Sequence, residues 1–128
     1  MSRRDLVLLN GLIRLGWGLG ALLAPSAMAA ARLVPDTDAR PDARLFVRGF
    51  GAHQVGAAAL ALGARRRPQL ERPAMMLAVA LDTVDMLSAV VEARARGRLD
   101  PDTTGGFVFS ATGAASAAAA LRAGRAPS

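Results

Sequence analysis

The sequence predicts an all-α protein, a four-helix transmembrane bundle. Four apolar blocks of about 20 residues alternate with short polar connectors, and about 20 residues is the length that crosses a bilayer core as helix. Hydrophobic residues make up 52% of the chain and charged residues only 20%, below the quarter usual for soluble domains. No block alternates strictly between apolar and polar residues, so strands are not expected. The 128 residues form one domain, with expected spans at about 5–31, 45–64, 73–91 and 103–121.

The first block opens after MSRR and closes at SAMAA. A basic start, an apolar run and the small-residue triplet Ala27-Met28-Ala29 resemble a secretory leader. Asn10 and Arg14 interrupt the apolar stretch, which favours a retained span. Gly16 and Gly20 form a G-x-x-x-G pair that would let another helix approach closely. Trp17 lies deep in this block, away from the interfacial belt that tryptophan prefers. It is expected to face the interior of the bundle and a pocket there. GWGLG is not a dinucleotide fingerprint, because the third glycine is misplaced and no strand precedes it.

The second block follows the turn-rich connector VPDTDARPDAR and contains RGFGAHQVG, with Arg48, His53 and Gln54 among glycines and alanines. Gly49 and His53, and Ala52 and Gly56, continue the small-residue spacing. The third block follows RRRPQLERP; Pro73 suits the start of a helix, and Pro101 a position just past the end of one. This block contains Asp82 and Asp85, with Ala89 and Glu92 continuing roughly the same face. The fourth block has no charge from Thr103 to Leu121, and a soluble surface helix would need a polar face there. Its Gly113 and Ala117 repeat the small-residue spacing. A soluble four-helix bundle is the alternative that this uncharged stretch argues against.

The net charge is +6, and every basic residue is arginine. The arginines cluster at block ends without interleaved aromatics, as they do beside membrane spans. Nucleic acid is therefore not expected as a partner. With the N-terminus inside, eight connector arginines (3, 4, 65, 66, 67, 72, 122 and 125) face inward and six (32, 40, 44, 94, 96 and 98) outward. The excess places both termini of a multi-pass cell-membrane protein in the cytoplasm. With no cysteine and one histidine, neither thiolate nor multi-histidine metal sites can form. No cofactor is implied.

Ionisable groups inside spans are costly and are functional candidates. Counting 1.5 Å per residue, Arg14, Asp82 and His53 each lie roughly 13 Å inside their spans, near the midplane of a core about 30 Å thick. The expected polar cluster is Arg14, His53, Gln54, Asp82 and Asp85, with Asn10 and Arg48 nearby. Two arginines then balance two aspartates. The cluster either neutralises itself and fixes packing, or serves a site. In an enzyme, Asp82 and Asp85 would be acid and base, His53 a relay, and Arg14 or Arg48 an anion stabiliser. Such an enzyme would isomerise or cyclise a lipophilic substrate. The leading expectation is a bundle that binds a lipophilic molecule or a partner membrane subunit, with Arg14, Arg48, Gln54, Asn10 and Trp17 as binding residues. The bilayer is its first partner, and a second copy of the chain is another candidate. A proton-coupled transporter subunit is a further alternative, which would need oligomerisation to form a path.

The pattern R-G-x-G-x-H-x-x-G followed by D-x-x-D, here RGFGAHQVG and DTVD, resembles an uncharacterised family of small four-helix membrane proteins, DoxX-like in layout. The resemblance covers about residues 45–121. It implies a four-span bundle and brings neither a reaction nor a cofactor.

Overall fold

The computed structural model describes residues 2–31, 33–36 and 41–123, with Pro41 by its backbone alone. Arg32, Asp38, Arg40 and Arg125 lie outside the described residues.

Helix α1 spans Arg3–Leu23 and starts with a capping box. Asp5 N–H donates to the Ser2 hydroxyl at 3.2 Å, and Ser2 N–H donates to the Asp5 carboxylate at 2.8 Å, so two otherwise unpaired donors are satisfied reciprocally. The block expected over 5–31, with Pro25 inside it, breaks at Ala24. The residue before a proline is pushed out of helical geometry, and Ala24 adopts φ −136°, ψ 51°. Pro25, which has no N–H to continue the ladder, becomes the first residue of a separate short helix, α2, Pro25–Ala30. The 21 residues of α1 still reach roughly 31 Å, enough to cross.

Helix α3 spans Pro41–Ala64, four residues earlier than expected, because Pro41 is itself a good first helical residue. A turn at Arg65–Arg67 and a 3₁₀ turn at Pro68–Leu70 lead into α4, Glu71–Arg96. Pro73 is the third residue of α4, inside the first turn, where its missing N–H has no partner to lose. α4 continues past the expected end at Val91. It stops at Gly97, whose φ of +66° is left-handed; its N–H bonds to Arg94 and the Arg98 N–H bonds to Ala93, the bonding pattern that closes a glycine-terminated helix. Helix α5 spans Pro101–Ala123, so Pro101 opens a helix as well as following one. Asp100 caps it: its carboxylate accepts the Thr103 N–H at 2.9 Å, and its own N–H donates to the Thr103 hydroxyl at 3.2 Å.

The result is an all-α four-helix bundle, with no strand among the described residues. α1, α3, α4 and α5 are each long and apolar enough to cross a membrane. Leu9, Leu12, Ile13, Leu77, Val84, Leu87 and Val91 are all exposed on the bundle's outside. A soluble helix puts polar residues there; a surface of this kind suits lipid, which marks the chain as a multi-pass membrane protein.

The chain folds as two helical hairpins. α1 packs along α3, and α4 packs along α5. The hairpins join through two smaller contacts, α1 with α5 and α3 with α4. The core lies in two apolar clusters. One, toward the termini, is built on Val7, Ala61, Met75, Ala78 and Ala117. The other, toward the far end, is Ala21, Met28 and Val47, with Trp17 and Val34 against it. Near the termini Glu71 is buried, with the Arg3 and Arg4 guanidinium groups at 3.6 and 3.8 Å.

The close approach within the first hairpin does not use the expected glycines. A Cβ on Gly16, Gly49 or Gly56 would meet nothing within 4 Å. One on Gly18 would lie 2.9 Å from the Gly51 carbonyl oxygen, and one on Gly51 2.8 Å from that of Gly18. This is the crossing point, and both backbones require glycine there. A Cβ on Gly20 of the expected pair would fall 2.9 Å from the Met28 sulfur of α2, so this glycine seats the short helix and not a neighbouring span.

Candidate functional site

A polar layer separates the two apolar clusters, and Arg14 is its centre. Arg14 is 2% exposed and Asp82 is fully buried. The Arg14 Nη2 donates to the Asp82 carboxylate in a close ion pair. Its Nη1 donates to the Gln54 side-chain oxygen at 2.7 Å, and its Nε to the Asn10 side-chain oxygen at 3.0 Å. Asn10 in turn donates to the Ser116 hydroxyl at 2.7 Å, and Ser116 donates to the Gly113 carbonyl at 2.8 Å. Four helices thus contribute to one network. A buried guanidinium is tolerable when its donors are matched this fully.

Gly113 makes room for this pair. A Cβ there would fall 2.6 Å from the Asp82 Oδ2. Ser116 and Gly113 were not expected in the cluster. Gly113 belongs to the small-residue spacing of the fourth block, and Ser116 is one of that block's few polar residues with Ser110 and Thr112; these are their sequence signals.

His53 and Asp85 form a looser pair beside this network. The His53 Nε2 lies 3.7 Å from the Asp85 Oδ2, too far for a hydrogen bond. The same ring nitrogen lies 3.2 Å from the Gln54 side-chain nitrogen. The Asp85 Oδ2 is buried and has no hydrogen-bond partner.

Arg48 does not join. It is exposed, and no ion pair or hydrogen bond links it to the cluster. Its long side chain stands on an exposed face of α3, where the guanidinium can reach outward. The expected balance of two arginines against two aspartates therefore fails. Arg14 answers Asp82, and Asp85 has only His53 beside it.

Asp85 opens onto a cleft of about 580 Å³. The cleft lies toward the end of the bundle away from the termini, between α3, α4 and α5. Its inner wall is aromatic: Trp17 stacks on Phe109 with ring centroids 4.3 Å apart, and Phe50 meets Phe109 edge-on at 6.1 Å. Phe50 also packs edge-on against His53 at 5.1 Å. Asp85, Ala89 and Glu92 line one side of the cleft, so most of the face read from their spacing borders open space. Trp17 lies where the sequence placed it, and its buried indole N–H has no hydrogen-bond partner. Phe50 and Phe109 were missed, because isolated phenylalanines in apolar blocks carry no signal of their own.

At the mouth, Arg96 donates to Glu92 at 2.7 Å and to Asp100 at 2.8 Å, with Asp102 at 4.0 Å. The Thr103 N–H and the Arg96 guanidinium hold the Asp100 carboxyl down at about 2. No group of three or more His, Asp or Glu among the described residues is arranged to hold a metal ion.

The cluster expected from the sequence therefore divides in two. Asn10, Arg14, Gln54 and Asp82 form a closed packing element, and Trp17 and Asp85 face a cleft, with His53 between them. Comparison of the chain with known protein families, curated proteins and solved structures finds no match.

Proposed function

We propose that this chain is a small multi-pass membrane protein that holds a lipophilic small molecule in the cleft between α3, α4 and α5. The supporting observation is the cleft itself. Its 580 Å³ falls within the roughly 300–1,000 Å³ of small-molecule sites. Its walls are aromatic, with a few polar groups to orient a guest. The Arg14 network holds the helices that frame it and takes no part in the binding. Kinship with the small DoxX-like four-span proteins belongs to the same proposal.

A second reading is acid/base chemistry on the bound molecule. Asp82 is engaged by Arg14 and covered by Gly113, so the reacting pair would be Asp85 and His53, which lie 3.7 Å apart beside the cleft.

The test is purification in a mild non-ionic detergent, with identification of co-purifying small molecules by mass spectrometry. Ala89→Phe fills the cleft from one wall. A lipophilic compound carried by the wild type and absent from this variant is the expected result. An identical set of compounds from both proteins would sink the proposal. A chemically altered compound released over time by the wild type and not by Asp85→Asn would favour the second reading.

A further inference from the structure

The cleft is apolar at its base, and among the described residues Asp42, Asp85 and Glu92 bring carboxylates to its lining beside the Arg96 guanidinium. Arg96 is already engaged by Glu92 and Asp100. Deeper in lies the polar layer. Arg14 is matched to Asp82, Arg48 is outside, and Asp85 remains beside a histidine that does not hydrogen-bond to it. Asp85 lies eleven residues from the Arg96 end of α4, about 16 Å along the helix and well inside the apolar layer. A carboxylate there calls for a cation as partner.

The aromatic wall is suited to the same guest. The Trp17–Phe109 stack and Phe50 present ring faces and edges to the cleft. Ring faces attract organic cations, most strongly when water is excluded. An anion would instead meet carboxylates around the cleft.

We propose that the cleft binds a lipophilic cation, an amine or quaternary ammonium with an apolar body, with Asp85 as its counter-charge and the Trp17, Phe50 and Phe109 rings as its walls. This rests on the reading of the cleft as a lipophilic site and names the charge of its occupant. Asp85, whose side chain is 26% exposed and lines the cleft, receives the cationic head. The apolar body lies along Phe46 and Val47 toward the mouth.

The sequence supplies its own reporter. Trp17 is the one tryptophan in a chain with no tyrosine, and it lines the cleft. Its fluorescence therefore reads occupancy directly. The probes are 4-(4-nitrophenyl)butyl-trimethylammonium, its neutral tert-butyl isostere and the matched carboxylate, titrated in a non-ionic detergent. The nitrophenyl group quenches tryptophan. Ala89→Phe corrects for quenching by probe dissolved in the micelle. The cation is expected to bind at least about tenfold more tightly than the neutral isostere, a difference the size of one modest charge interaction. Asp85→Asn is expected to erase that preference and leave the neutral probe unchanged. The Arg14–Asp82 pair is left in place in that variant, and its helix content by circular dichroism verifies the fold. If the neutral probe binds as tightly as the cation, or the carboxylate binds best, the cleft is a lipophilic site and the cation proposal is overturned. If no probe quenches the wild type more than Ala89→Phe, both the cation proposal and the cleft reading fall.

Discussion

Arg14 makes four hydrogen bonds to four partners, Asn10, Gln54, Asp82 and the Ala78 carbonyl. Removing it leaves a buried carboxylate and two buried amides without their matching donor. Arg14→Met is expected to lower stability by about 3–5 kcal/mol, the usual cost of breaking one side of a buried pair. Adding Asp82→Leu should restore most of that loss, because the second change removes the orphaned charge. Reversible unfolding in mixed micelles measures both; a double variant no better than the single one would mean that the amides, and not the ion pair, carry the layer. The Arg14–Asp82 meeting was legible in the sequence, since both residues fall at one depth when counted from the same side. Arg48 was expected only near the cluster, and depth along α3 could not say which face of the helix carries it; the structure puts it on an exposed face.

Among the helices, length and breaker residues were readable, while the crossing point was not. The four apolar blocks became four spans, but Pro25 divided the first and Gly97 extended the third. Glycine pairs on one face are abundant in this chain, so their spacing could not say which pair meets a neighbour. The structure selects Gly18 and Gly51, where an added methyl would meet backbone. Gly18→Ala is therefore expected to cost about 1–3 kcal/mol through overpacking. Gly16→Ala, with open space at its Cβ, should show no loss or a gain of about 0.5 kcal/mol. Equal losses from both would move the crossing elsewhere. The cap of α5 offers a pH test. Asp100 titrates at about 2 in the folded chain against 3.8 for the ordinary group. A depressed carboxyl stabilises the fold above its unfolded value, and that contribution disappears as pH falls through the folded value. The difference in Tm between wild type and Asp100→Asn should be constant above about pH 5 and close toward pH 2. A gap that persists unchanged at pH 2 would assign the effect to some other cause.

For the whole molecule, charge is divided between the two ends. Arg3, Arg4, Arg65, Arg66, Arg67, Arg72 and Arg122 lie toward the termini with only Asp5 and Glu71 against them, whereas acids and arginines intermingle at the cleft end. The positive-inside rule predicts that the termini lie on the cytoplasmic side. The chain has no cysteine, so a single introduced thiol is uniquely addressable. In intact cells an impermeant maleimide should label Leu99→Cys, at a side chain 80% exposed, and spare Arg66→Cys. The reverse pattern would invert the topology, and the cleft with it.

The two-hairpin construction has a consequence for biosynthesis. Each hairpin pairs its own two spans, and the bonds among Arg14, Asp82, Asn10 and Ser116 cross from one hairpin to the other. The chain can then be made as two fragments. Residues 1–67 and 68–128, expressed separately in the same cell, should co-purify and restore the cleft at their seam. With Arg14→Met in the first fragment they should remain apart.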